Sequence, residues 1–143
     1  LPRTGTAQIM FKPPVISDRL RRVALVMSVI LLVVVTVILL MPVPEGEGRL
    51  PRHVDKIVHF AVFFIVAFPA YVARMRFWPA ILAGLVVYGG AVELIQPHFG
   101  RSAEFADFIA NSLGVIAALP CAVWFRTRRQ SKTRQHAQRD RPE

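Results

Sequence analysis

Glu93-Leu94-Ile95-Gln96-Pro97-His98-Phe99-Gly100-Arg101-Ser102-Ala103-Glu104-Phe105-Ala106-Asp107-Phe108-Ile109-Ala110-Asn111-Ser112-Leu113-Gly114 is a polar hinge between two apolar runs. Glu93 and Gln96 are three residues apart, as are Glu104 and Asp107, and Asn111 follows four later. Each set falls on one face of a helix. A hairpin tip in lipid needs polar groups, but not this many at helical spacing. The stretch therefore reads as the working surface of a small membrane protein.

Composition agrees. Of the 143 residues, 54% are apolar and 19% charged, against roughly 45–50% and about 25% in ordinary soluble domains. The apolar residues are concentrated in long segments that so short a chain could not hide in a soluble core. The single cysteine, Cys121, excludes an intrachain disulfide framework or a cysteine metal site. The chain begins at Leu1, as a trimmed fragment or a non-ATG start would. Leu1-Pro-Arg-Thr-Gly5 has the letters of a sortase signal, but that signal belongs near a C-terminus, ahead of an apolar stretch. Here it reads as coincidence.

Outward from the hinge, the segments predict an all-α bundle of four transmembrane helices. Residues 23–41 carry no charge over 19 positions, enough to cross a bilayer at about 1.5 Å per residue. Ser17 and Asp18 are suitable N-cap residues before them. This run exceeds the core of a cleaved signal peptide and reads as a retained span. Residues 42–51, with three prolines, form a loop. The second span is expected over 55–73, with a kink at Pro69, and the third over 77–96, with Pro79 in its first turn. The fourth is expected over 103–125, capped by Ser102. Residues 1–22 become a lead, 23–125 the transmembrane domain, and 126–143 a basic tail expected to be poorly ordered.

The formal charge of +9 could mean nucleic acid or anionic lipid. Position decides between them. Residues 1–22, 74–76 and 126–143 hold 14 of the 18 Lys/Arg, leaving only Arg49, Arg52, Lys56 and Arg101 for the other side. The positive-inside rule then places both termini in the cytoplasm. Basic residues that flank spans favour lipid headgroups over nucleic acid.

With that topology Asp55, Lys56, His59, Glu93, Gln96, Arg101, Glu104, Asp107 and Asn111 converge on the outer side. Two readings compete. In one, Arg101 pairs with Glu93 or Asp107, Asn111 bonds across helices, and the polar groups are glue. In the other, they line a water-accessible pocket for a polar headgroup. Four carboxylates against two cations exceed what glue requires, which favours the pocket.

Asp55-Lys56-Ile57-Val58-His59-Phe60, then Glu93-Leu94-Ile95-Gln96, then Arg101 with Asp107, Asn111 and Gly114 at fixed spacing, resemble the VanZ-like membrane protein family. The resemblance covers about residues 50–120. Two departures stand out. A second small position four after Gly114 is Ala118 in place of glycine, and Pro97 directly follows Gln96. The resemblance implies a multi-pass bacterial membrane protein of the cell envelope. The founding member is associated with low-level resistance to the glycopeptide teicoplanin, so a glycopeptide-type resistance role is one expectation it carries. It implies no particular reaction.

The residues favour an outward-facing protein that binds or protects a lipid-linked or lipopeptide envelope ligand. Lys56 and Arg101 would meet its phosphate or carboxylate, and Gln96 and Asn111 its sugar or amide groups. An accessory subunit is the alternative, packed on partner helices through Gly84, Gly89, Gly90 and Gly114. A membrane-embedded enzyme is a further one, with Glu93 as general base, His59 as acid or shuttle, and Arg101 stabilising developing charge. No HExxH, GxSxG or nucleophile beside a base supports it. A metal site built from His53, Asp55, His59, His98 and Glu93 is the least favoured. The reading takes the chain to use neither metal nor cofactor.

Overall fold

The computed structural model describes residues 16–41 and 52–139, and the side chains among them apart from those of 52 and 133–139. The loop expected at 42–51 lies outside these residues. Every element among the described residues is helical, with no strand among them: α1 (Asp18–Leu40), α2 (Arg52–Arg74), a 3-10 turn (Met75–Phe77), α3 (Trp78–Ile95), a second 3-10 turn (Gln96–Phe99) and α4 (Phe105–Arg139). Three helical stretches, Asp18–Leu40, His53–Phe99 and Phe105–Lys132, are long and apolar enough to cross a membrane.

Local chemistry sets the boundaries. Ser17 Oγ accepts from Leu20 N–H at 3.3 Å and caps α1. Pro79 sits in the first turn of α3, where its missing N–H costs nothing. Gly100, at φ 75°, ends the second 3-10 turn in the left-handed region. Ser102 does not cap α4. That helix opens two residues later than expected, with the Glu104 carbonyl accepting from Asp107 and Phe108 N–H. Pro69 lies within α2 and Pro120 within α4, and both helices continue through them. The basic stretch expected to be loose is helical as far as it is described: α4 runs on to Arg139. Arg, Lys, Gln and Ala are good helix formers, and extending an existing helix needs no new nucleus.

Successive helices run antiparallel. Leu39 meets Gln96 while Ser28 meets Val66. Lys56 meets Glu104, His59 meets Asn111, and Arg126 reaches Val72. Thus α2 and α4 are parallel, and they form the most extensive contact. Small residues permit it. Ala67 of α2 and Val115, Ala118 and Ala122 of α4 are fully buried. At Gly114 a Cβ would collide with the Phe60 carbonyl oxygen and stand 3.1 Å from the Phe64 nitrogen. The Ala118 departure keeps the interface small. At Gly89 a Cβ would meet the Phe63 ring at 3.2 Å, and at Gly90 the Phe108 ring at 3.5 Å, whereas Gly84 has nothing within 4 Å.

The apolar pattern is that of a protein solvated by hydrocarbon. Val23, Val26, Met27, Ile30, Val33, Val34, Val37 and Ile38 of α1 are exposed, while Ala24, Val35 and Leu39 turn inward. The buried set includes His59, Glu93, Gln96, Asp107, Asn111 and Arg126. Polar groups inside and large aliphatics outside suit lipid, where each polar group must find an internal partner.

The α2–α4 approach gives a direct test. Gly114→Ala should lower stability by about 1–3 kcal/mol, the usual range for overpacking, while Gly84→Ala should stay within about 0.5 kcal/mol. Thermal denaturation in detergent reads both. Equal melting temperatures for the two variants would contradict the packing described.

Candidate functional site

The bundle places the C-terminal ends of α1 and α3 beside the N-terminal ends of α2 and α4. Asp55, Lys56 and His59 lie in the first two turns of α2, Glu93 in the last turn of α3, and Asp107 and Asn111 in the first two turns of α4. His59 and Asn111 are each 1% exposed, Asp107 2% and Glu93 6%.

At the centre is a three-helix chain of hydrogen bonds. Asn111 Nδ2 donates to Glu93 Oε1 at 3.1 Å. Its carbonyl oxygen, Oδ1, lies 3.0 Å from His59 Nδ1. Glu93 Oε1 is also 3.4 Å from that nitrogen. Both oxygens facing Nδ1 are acceptors, because the Asn111 amide hydrogens are turned to the carboxylate. Nδ1 therefore carries a hydrogen. Nε2 points to the mouth of the cluster, 3.9 Å from Asp55 Oδ2. Glu93 Oε2 is buried with no hydrogen-bond partner.

Ion pairs surround this centre. Lys56 Nζ bridges Glu104 Oε2 at 2.8 Å and Asp107 Oδ1 at 3.1 Å. Arg101 Nη2 reaches Asp55 Oδ1 at 3.4 Å. The partner is Asp55, where Glu93 or Asp107 was expected: Lys56 already occupies Asp107, and Glu93 is turned to Asn111. The two cations expected to meet a ligand's phosphate are thus engaged with carboxylates.

Gln96 departs from the expected set in another way. Its Nε2 donates to the Leu39 carbonyl at 3.2 Å, and the side chain is 1% exposed. It satisfies a last-turn carbonyl of α1, which has no partner within its own helix. Of the expected metal set, His53 and His98 are exposed, and His98 Nδ1 lies 3.2 Å from the Ile95 carbonyl. The structure instead gathers Asp55, His59 and Asp107.

Two contacts had no sequence signal strong enough to find. Thr36 Oγ1 and Tyr88 Oη hydrogen-bond across α1 and α3. Arg126, read as the start of a tail, is buried and donates to the Val72 carbonyl in the last turn of α2. It does at one end of the bundle what Gln96 does at the other. Cations suit helix C-termini, but only the parallel α2–α4 pairing brings this one there.

The sequence profile of the family described as VanZ/LLP1 matches residues 6–126. No curated protein and no solved structure gives a significant match.

The central chain predicts its own sensitivity. Asn111→Leu keeps similar bulk but strands His59 Nδ1–H and Glu93 Oε1, so it should cost about 1–3 kcal/mol, the range for an unsatisfied buried polar group. A melting temperature equal to wild type would show that Asn111 does not bridge α2 and α3.

Proposed function

This chain belongs to the VanZ/LLP1 family, and on that footing we propose that it crosses the bacterial cytoplasmic membrane four times and binds a cell-envelope ligand at an outward-facing polar cluster. Several features support the topology. The stretch His53–Phe99 has 47 residues, about twice the 20 or so that a bilayer needs. It is broken at Met75–Phe77, so two crossings fit it better than one. Antiparallel neighbours support a topology in which the sequence segments 1–22, 74–76 and 126–143, with 14 of 18 Lys/Arg, share one side. The positive-inside rule makes that side cytoplasmic and turns the cluster outward.

The observation that carries the binding reading is the surplus of acceptors. Four carboxylates, Asp55, Glu93, Glu104 and Asp107, gather around two lysine or arginine cations, Lys56 and Arg101. Glu93 faces the Asn111 amide and the His59 ring instead, and its Oε2 is buried without a hydrogen-bond partner. A group that supplies hydrogen-bond donors, such as the sugar hydroxyls, amides or ammonium of a lipid-linked or lipopeptide ligand, complements that surplus. A phosphate alone does not, because both cations are taken. Protection against a glycopeptide-type antibiotic is one consequence such binding would have. Catalysis with Glu93 as base is less supported, since Asn111 holds one of its oxygens and no nucleophile lies in the cluster.

A second reading, the accessory subunit, is favoured by a specific face. Gly84 has open space, and Val87 and Leu94 of the same helix are 72% and 76% exposed. A partner's helix would pack there without disturbing the cluster.

Native mass spectrometry of the detergent-extracted protein separates the two. Wild type should retain a lipid-linked species that Glu93→Gln, still folded by thermal denaturation, loses. Stable partner chains on both forms with no retained lipid would replace ligand binding with the subunit role. The topology carries its own prediction: a reporter fused after Phe125 should read as cytoplasmic, and an extracytoplasmic reading would invert the orientation.

A further inference from the structure

We propose that Asp55, His59 and Asp107 form a binding site for one first-row divalent cation of the Zn2+ or Mn2+ type. The inference stands on the geometry of the cluster and holds whether or not an envelope ligand binds there.

One donor atom from each residue lies within 4.8 Å of the others. Donors bonded to one ion at about 2.0–2.2 Å in a tetrahedral shell stand roughly 3.3–3.6 Å apart, so side-chain rotations of about an ångström complete the set. The three come from α2 and α4, the most tightly packed pair in the bundle, so the backbone holds them in register. Asp55 and His59 are one turn apart on α2 and share a face.

The imidazole is prepared for the task. Histidines that ligate metals usually donate their second N–H to a carboxylate or carbonyl, which fixes the tautomer and the ring plane. His59 Nδ1 has both: the Asn111 carbonyl at 3.0 Å and Glu93 Oε1 at 3.4 Å. Nε2, the ring nitrogen those two acceptors leave unused, lies 3.9 Å from Asp55 Oδ2. An ion between them would take both atoms as ligands.

Glu93 supplies a second, independent observation. It is more than nine-tenths buried, its carboxylate faces the His59 ring, and Oε2 has no hydrogen-bond partner. A buried carboxylate beside Nδ1 favours positive charge in its surroundings. The charge balance agrees: four carboxylates outnumber Lys56 and Arg101 among the described side chains, and a divalent ion offsets the excess.

The ion pairs orient the ligands and do not compete for them. Arg101 holds Asp55 at Oδ1, leaving Oδ2 toward His59. Lys56 holds Asp107 at Oδ1, leaving its second oxygen. One nitrogen and two oxygens suit a first-row metal better than Ca2+ or Mg2+, which favour all-oxygen shells. Three protein ligands leave coordination positions for water or a ligand oxygen.

The test uses the full chain in detergent, stripped with a chelator, dialysed against Zn2+ or Mn2+ and measured by elemental analysis and calorimetry. Wild type should bind about one ion per chain and melt at a higher temperature with it. Asp55→Asn and His59→Gln should weaken binding by at least ~10-fold, while His98→Ala should bind as wild type. The Asp55 side chain is 28% exposed, so Asp55→Asn decides the matter should His59→Gln fail to fold. Wild type that takes up neither ion stoichiometrically, or Asp55→Asn binding as tightly as wild type, would overturn the proposal.

Discussion

Hydrocarbon offers no partner to a buried hydrogen-bonding group, and the chain of Asn111 between His59 and Glu93 is how this bundle meets that constraint. The amide uses its donor on α3 and its acceptor on α2 while standing on α4. One side chain thereby ties three helices at a depth roughly 10 Å along α4 from Glu104. In water such a bond contributes little net stability, because the unfolded groups bond to solvent. In lipid the comparison is with an unpaired group in hydrocarbon, so separation of the helices is strongly opposed.

The close approach of α2 and α4 makes that chain geometrically attainable. Gly114 lets the Phe60–Phe64 backbone lie against α4, and Asn111 sits one turn before it, level with His59. Ala118 and Ala122 continue the same small stripe. Packing and polar satisfaction are therefore one design. A larger residue at position 114 would lift α2 away and break the hydrogen bonds one turn off. The helix ends follow the same logic, with Gln96 and Arg126 supplying donors to last-turn carbonyls of α1 and α2. The cations nearer the surface, Lys56 and Arg101, fix carboxylates that would otherwise repel one another.

Much of this was legible in the sequence. Apolar run length gave the helices, and the spacing of Asp55 to His59 and Glu104 to Asp107 to Asn111 placed the right residues on shared faces. Most of the cluster assembled as expected because helical periodicity and short hairpins leave few alternatives. What failed was partner choice. Arg101 pairs with Asp55 and not with Glu93 or Asp107, since which acid a long side chain reaches depends on the rotation of each helix about its axis. Spacing within one helix does not fix that rotation. Gln96 shared a face with Glu93 by count, yet the 3-10 turn at Gln96–Phe99 swings it to α1. Arg126 was hidden by its basic surroundings, and the helical run to Arg139 by the absence of an apolar stripe.

The most direct test of the central network is the state of the His59 ring, read by nitrogen NMR of selectively labelled protein in micelles, with the signal assigned through His59→Gln. The geometry requires the hydrogen on Nδ1, protected from exchange with water by Asn111 and Glu93. A hydrogen on Nε2 in its place, or an Nδ1 hydrogen exchanging freely with solvent, would mean that the three-helix chain does not exist as described.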